Sequence, residues 1–312
     1  MKCLVTGAAG FIGRLLSQRL IKEGHSVIAF DYKTQQQPLD DIQYVTGDIT
    51  DPSSLENICQ NIDVVFHCAA LVKDYGPKDQ FYAINVKGTK NMVKACQSTS
   101  IQQFVFLSHI RYESEKMVSH YSKTKVLAEE FLMNEYIKNG FPAVIIRPGN
   151  VYGPHATTWV LRPLKAIQKN RISLINHGKG IFLHTYIDNL LDALLLTINN
   201  KKAIGKQIDI TDGDNEITWG DYLNALAEFT GKKTIQRNMS KTTALFLGKL
   251  VMMAHSILKI EPLVTPMAVH IFTNKHAVSI DEAQLLLGYQ PKIDYREGMK
   301  RTRRWLENEQ YI

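Results

Sequence analysis

Lys2-Cys3-Leu4-Val5-Thr6-Gly7-Ala8-Ala9-Gly10-Phe11-Ile12-Gly13 opens the chain, and the fold is decided by how these residues are read. Residues 2–6 read as a short apolar strand, and Gly7, Gly10 and Gly13 mark a turn into a helix. Such a turn aims backbone N–H groups at a pyrophosphate, because the dipole and unpaired donors of a helix N-terminus favour an anion. One glycine supplies the tight turn, one admits the phosphate close to the backbone, and one lets helix and strand pack without a side chain between them. The spacing departs from G-x-G-x-x-G, so the context carries the reading. Residues 11–21 read as an amphipathic helix and residues 26–30 as a second strand. That strand ends on Asp31, near the offset of about 20 residues at which an acid can hold a ribose. The alternative is a glycine-rich turn with no ligand.

Composition sets outer bounds. A chain of 312 residues can bury a large core, as one α/β domain or one with a smaller appendage. Its 45% hydrophobic and 21% charged content fits an ordinary soluble globule. The net charge of +7 shows no single basic run and no interleaving of arginine with aromatics, so no nucleic-acid groove is expected. It reads as general surface charge that also attracts an anionic cofactor, with attraction to a membrane surface as the lesser alternative. Cys3, Cys59, Cys68 and Cys96 lack metal-ligand spacing and read as buried free thiols of a reducing, cytoplasmic compartment; no metal is expected. A strand beginning at residue 2 leaves no room for a signal peptide, and no apolar run reaches the ~18–20 residues of a spanning helix.

Strands and helices then alternate. Residues 33–41 read as a polar loop, residues 43–46 as a third strand, and Asp48 follows at its carboxyl end. Asp48 could accept from an adenine amino group or cap the segment that opens at Pro52. Residues 63–68 form a fully buried strand ending in Ala69 and Ala70, whose small side chains let a flat ring lie on the backbone. His67 within it reads as a packed core histidine in preference to a base. A loop at residues 74–77 and a long helix carrying Asn85 lead to a fifth strand, 103–108. The alternation predicts a doubly wound parallel sheet of the Rossmann type, with ligands at the carboxyl ends of its strands. Tyr121 and Lys125 stand four apart at the head of a helix running to about residue 138, so they share one face. Alone the pair would be a solvated helix face. Behind a glycine turn and alternating elements it suits proton transfer beside a nicotinamide, since a nearby ammonium favours the phenolate of a tyrosine whose free pKa is about 10. Lys125 can also hold ribose hydroxyls.

A sixth strand, 143–147, enters a loop over 148–154, after which the alternation weakens. The division expected is 1–155 as dinucleotide-binding core and 156–312 as mainly substrate-binding, with some elements returning to the core. In the second part we expect helices at 159–169, 188–199 and 218–230, and strands at 181–186 and 207–210. Over 243–258, Phe246, Leu250, Met253 and Ile257 recur at helical spacing, with Lys249, His255 and Lys259 interrupting the apolar surface. Packing against the main domain is the ordinary explanation of such a stripe. A lid over an apolar substrate and a membrane-surface helix are the sharper ones. The basic last helix, with Lys300, Arg301, Arg303 and Arg304, reads as a solvated face.

These residues resemble the extended short-chain dehydrogenase/reductases, or NAD-dependent epimerase/dehydratase proteins. The matching pieces are Thr6 to Gly13, Gly47-Asp48-Ile49, His67-Cys68-Ala69-Ala70, Asn85-Val86-Lys87-Gly88-Thr89, Tyr121 with Lys125, and Arg147-Pro148-Gly149-Asn150-Val151-Tyr152-Gly153-Pro154. Asp74-Tyr75-Gly76-Pro77 and Phe81-Tyr82 are similar to the 3β-hydroxysteroid dehydrogenase-like and ketone reductase-like branch. The resemblance implies cofactor contacts from Phe11, Ile12, Ile49, Cys68, Asn85, Ser108, Pro148 and Val151, beside the glycines, Asp31, Asp48, Ala69, Ala70, Tyr121 and Lys125. It also implies a homodimer paired through the helix of Tyr121 and the long helix before it. One departure stands out. The family ends its fifth strand on two hydroxyl residues, the second catalytic, and here the pair is Ser108-His109. Either Ser108 serves, or the His109 ring donates the hydrogen bond, or the oxyanion contact is missing.

The function expected is hydride transfer between NAD(H) and a hydroxyl or ketone on a fairly apolar, sterol-like or other ketone, substrate, with Tyr121, Lys125 and Ser108 catalytic. Asp31 would repel a 2′-phosphate and so favours NAD over NADP, while Lys33 is the feature that would admit the latter. A nucleotide-sugar epimerase or dehydratase is the second reading, and a non-catalytic dinucleotide-binding protein, motivated by His109, the third.

Overall fold

Lys2–Thr6 (β1), Phe11–Lys22 (α1) and Ser26–Asp31 (β2) make the first β-α-β unit, with β1 and β2 adjacent and parallel. The structure is a computed structural model and describes residues 1–33, 39–112, 119–258 and 264–312, the side chains of 256–258 excepted. The chain continues through β3 (Ile42–Thr46), β4 (Val64–His67) and α2 (Lys78–Phe81). A π-helical stretch, Tyr82–Gly88, joins α2 to α3 (Thr89–Gln97). Then come β5 (Gln103–Leu107), α4 (His120–Asn139) and β6 (Ala143–Pro148). Past β6 lie β7 (Asn150–Tyr152), α5 (Arg162–Gln168), β8 (Leu174–Ile175), β9 (His184–Tyr186), α6 (Ile187–Leu195) and β10 (Gln207–Ile210). The last elements are α7 (Trp219–Phe229), β11 (Asn238–Met239), α8 (Lys241–Leu258), α9 (Pro266–Phe272), α10 (Asp281–Leu287) and α11 (Tyr295–Asn308).

Seven strands form one sheet in the order β10-β6-β5-β4-β1-β2-β3, and every neighbouring pair is parallel. The chain moves outward from β1 to β3, then returns to lay β4 on the other side of β1. This reversal opens the crevice where such sheets bind ligands, and the glycine turn follows β1 at that point. Alternate residues of each strand feed two separate cores. Val5, Phe66 and Val105 pack on one face with α1 and α6, while Leu4, Val65 and Phe104 pack on the other with α3 and α4. Burial on both faces explains why these strands read as continuous apolar runs instead of alternating ones.

The second half departs from expectation in three places. Residues 148–154, read as a loop, contain β7, which pairs with β9 outside the main sheet. The strand expected over 181–186 is accordingly confined to β9, and the helix expected over 188–199 ends as α6 at Leu195. Only β10 returns to the main sheet, beside β6. The third departure is α8. Its expected packing stripe faces solvent, with Phe246, Leu250 and Met253 exposed, while Ala244 and Gly248 face the body. A Cβ on Gly248 would stand 3.2 Å from the backbone nitrogen of Pro266, so it is the small residues that let α8 close on α9. The side chain of Ile257 and the whole of Lys259 lie outside the described residues.

Candidate active site

The site begins with the turn after β1. Gly7 has φ +70°, a conformation that favours glycine, and a Cβ there would stand 2.7 Å from the backbone nitrogen of Ala69. A Cβ on Gly13 would stand 2.3 Å from the Gly7 carbonyl oxygen, so α1 can reach the turn only because residue 13 has no side chain. Gly10 is the N-cap of α1, where no side chain caps the helix and no acid occupies the first turn. The N–H groups around Phe11 and Ile12 are therefore left to an external acceptor. A pyrophosphate fits that donor set and that bare cradle. Asp31 lies across the turn, where one of its carboxylate oxygens accepts from the Ala9 N–H at 2.9 Å and the other from the Lys33 N–H at 3.0 Å. A carboxylate offers about four acceptor positions, so two ribose hydroxyls can still be received.

The rim continues along β3 and β4. Asp48 accepts from the Thr50 N–H at 2.8 Å, and the capping role considered for it belongs instead to Asp51, which accepts from Ser53. Ile49 is buried against Gly88, where a Cβ would come within 2.6 Å of it. His67 is buried between Thr6 (2.8 Å) and Thr89 (3.1 Å), and its ring stacks on Phe106 with centroids 5.9 Å apart. Burial first, then Lys125, lowers its pKa to about 3, so His67 is a neutral strut of the core. Burial also pushes the neighbouring Cys68 thiol up to about 12, against the pull of Lys125. Beyond Ala69 and Ala70, Asn85 accepts from the Leu71 N–H at 2.7 Å and donates to the Thr124 hydroxyl at 3.0 Å. It thus ties the β4 loop to α4 one residue before Lys125. The π-helical stretch that carries Asn85 is the kind of helix irregularity often found at functional sites.

Helix α4 carries the tyrosine and the lysine. Ser119 caps it by accepting from the Ser122 N–H, so Tyr121 lies in its first turn. One turn on, Lys125 is sunk beneath the rim, with Nζ donating to the Leu107 carbonyl at 2.5 Å and standing 3.8 Å from the centroid of the Phe106 ring. Burial drives its pKa down to about 7, with Glu129 pulling the other way. One further turn on, Glu129 is buried and accepts from Arg147 Nε at 3.1 Å and Nη2 at 2.5 Å, from Arg111, and from the Ser108 hydroxyl. Burial works to raise the Glu129 pKa, but the Arg147 guanidinium, Ser108 and Arg111 hold the carboxyl below its ordinary range. Arg147 also donates to Gln207 on β10.

Of the three residues expected to be catalytic, Tyr121 and Lys125 are therefore one helical turn apart, while the Ser108 hydroxyl is engaged by a carboxylate two turns from Tyr121. His109 is the residue beside the phenol. Its ring centroid is 5.1 Å from that of Tyr121, and its Nε2 lies 2.9 Å from the Ser122 hydroxyl. Burial lowers its pKa to about 3, so the ring is neutral. Pro148 and Val151 line the end of β6 and the start of β7, where the Pro148 carbonyl receives the Ile110 N–H at 3.0 Å. The charged run after His109 is described only through Tyr112; Glu113, Ser114, Glu115 and Lys116 lie outside the described residues. Among the described residues no group of three or more His, Cys, Asp or Glu could hold a metal, and the four cysteines are free. Sequence reasoning missed the Glu129 cluster, although the run Tyr121, Lys125, Glu129 at four-residue intervals was open to view.

A wholly parallel sheet with a glycine turn at its switch point, and a tyrosine–lysine pair at its rim, define the extended short-chain dehydrogenase/reductase class. The chain belongs to the NAD dependent epimerase/dehydratase family, whose model matches residues 3–211. It is similar to the sterol-4-alpha-carboxylate 3-dehydrogenase (decarboxylating) of Mus musculus, at 26% identity over 96% of this chain and 90% of that one. It is equally similar, at 26%, to the 2-alkyl-3-oxoalkanoate reductase of Stenotrophomonas maltophilia, over 97% of this chain and 98% of that one. Among solved structures, the UDP-glucuronic acid 4-epimerase of Bacillus cereus in complex with NAD shares the fold, with a TM-score of 0.76 and 23% identity over 99% of both chains. Enzyme class and cofactor follow from the family: an NAD-dependent enzyme.

Proposed function

We propose that this enzyme moves hydride between NAD(H) and a hydroxyl or ketone on a fairly apolar substrate, of sterol or alkyl-ketone type. The observation that carries the reading is the position of Lys125, buried one turn from Tyr121 at the end of β5. NAD, when bound, supplies the hydride acceptor or donor. The glycine turn would seat its pyrophosphate, Asp31 its adenosine ribose and Asp48 its adenine. Lys125, which donates to the Leu107 carbonyl, would hold the nicotinamide ribose. Tyr121 takes the proton from the substrate hydroxyl during oxidation and returns it during reduction. His109, neutral and packed on Tyr121, takes the part the family gives to a second hydroxyl residue and donates to the substrate oxygen. Four free cysteines support a reducing, cytoplasmic setting.

Two measurements test the reading. Fluorescence titration is expected to show NADH binding tighter than NADPH, because Asp31 repels a 2′-phosphate. A panel of sterols, alkyl ketones and UDP-sugars is then expected to show turnover only with the first two. NAD that copurifies with the chain, together with epimerisation of a UDP-sugar, would replace this reading by the sugar-nucleotide one. The His109 assignment has a separate check. His109→Ala is expected to lower kcat by ~10²–10³, as loss of one oxyanion donor does elsewhere, with NADH affinity unchanged. A variant as fast as the parent removes His109 from the chemistry.

A further inference from the structure

The excess positive charge of this chain falls in one stretch of its sequence. Of its 37 Lys and Arg and 30 Asp and Glu, residues 229–280 hold seven of the former and only Glu261 of the latter, and outside that span the two signs nearly cancel. The span contains α8, an 18-residue helix with no acid from end to end. The outer face of α8 is apolar, with Phe246 62%, Leu247 40% and Leu250 46% exposed, and Lys249 exposed among them. Soluble proteins seldom present grouped large apolar side chains to water without a partner for them. The inner face of α8 already closes on α9 through Ala244 and Gly248, so the outer stripe is surplus to folding.

We propose that α8 docks the protein on an anionic lipid surface, with Phe246, Leu247 and Leu250 entering the interfacial region and Lys249 meeting the headgroups. Apolar insertion and attraction to anionic lipid are the two contributions that hold interfacial helices, and this span carries both. No helix among the described residues is long and apolar enough to cross a membrane, so the contact is peripheral. A second copy of the chain fits the stripe less well. A two-fold contact would bring Lys249 of one copy onto an identical helix that holds no acid to pair with it, and a stable protein interface buries roughly 800 Å² per partner. The C-terminal part of α8 reaches the loop after β4, where the His255 and Tyr75 rings lie 4.6 Å apart. Docking would therefore set the nucleotide rim close to the bilayer.

Flotation of the full chain with vesicles decides the matter. The protein is expected to float with phosphatidylcholine vesicles doped with phosphatidylglycerol, to bind pure phosphatidylcholine at least ~10-fold more weakly, and to be released by salt. Phe246→Asp/Leu250→Asp is expected to weaken flotation by ~10-fold or more, with NADH binding and melting temperature unchanged. Lys249→Glu keeps the apolar stripe and is expected to weaken it several-fold. Failure of the parent to float, flotation unaffected by Phe246→Asp/Leu250→Asp, or a dimer in light scattering that those substitutions dissolve would each overturn the proposal.

Discussion

Tyr121→Phe is expected to lower kcat by ~10²–10⁴ in both directions, the range that a lost general acid or base commands. The substitution removes one oxygen and keeps the ring, so the packing against His109 at 5.1 Å and the cap of α4 at Ser119 persist. Cofactor affinity is therefore expected to hold within about twofold, because the pyrophosphate seat proposed at Gly7, Gly10 and Gly13 lies on another element and a phenol contributes little to binding beside it. Lys125→Met is a useful contrast. Lys125 is proposed to hold the ribose as well as tune the phenol, so its loss should raise the Kd for NADH along with lowering kcat. Steady-state kinetics with NADH titration separates the two variants. A Tyr121→Phe enzyme with kcat within about threefold of the parent would take the phenol out of the proton transfer.

The first half of the fold was legible because its signals are local. An apolar strand, a glycine turn and a period-2 or period-3.6 pattern each lie within one stretch of chain, and parallel strands buried on both faces leave little choice of partner. The Tyr121–Lys125 spacing was legible for the same reason. Three features were not, and each depends on what an element meets and not on what it contains. Glu129 sits at a helix position that apolar patterning reserves for leucine, and only the convergence of Arg111 and Arg147 from two other segments makes a carboxylate there tolerable. Strand β7 lies in a stretch with a proline and a glycine at each end, and its strand character comes from β9, more than thirty residues away in sequence. The stripe on α8 gives the spacing of an apolar face but not the direction in which it points. Gly248 and Ala244 turn that face outward, because their small size lets the opposite side of the helix approach α9.

Glu129→Ala is expected to destabilise the protein by about 3–5 kcal/mol, the range for breaking a buried ion pair by removing one partner. Glu129 has no exposed side-chain surface, and the side chain of Arg147 is only 12% exposed, so the deletion leaves a cation in a cavity that water does not readily reach. The Ser108 hydroxyl and Arg111 lose their acceptor in the same step. Arg147 keeps Gln207, which limits the loss but supplies no compensating charge. The acid limb of stability reads the same interaction. The carboxyl is held below its ordinary 4.5, so the unfolded chain binds its proton first; the stability it contributes is fully present above 4.5 and is lost as pH falls toward the lower folded value. The parent should therefore lose stability more steeply below pH 4.5 than the variant does, and the two curves should converge in acid. Glu129→Gln, which keeps hydrogen bonds to Ser108 and one arginine, should recover part of the loss near neutral pH but not the acid limb. Denaturant unfolding of the three proteins across that pH range checks each point. Equal midpoints for parent and Glu129→Ala near neutral pH would show that the two arginines do not depend on this carboxylate.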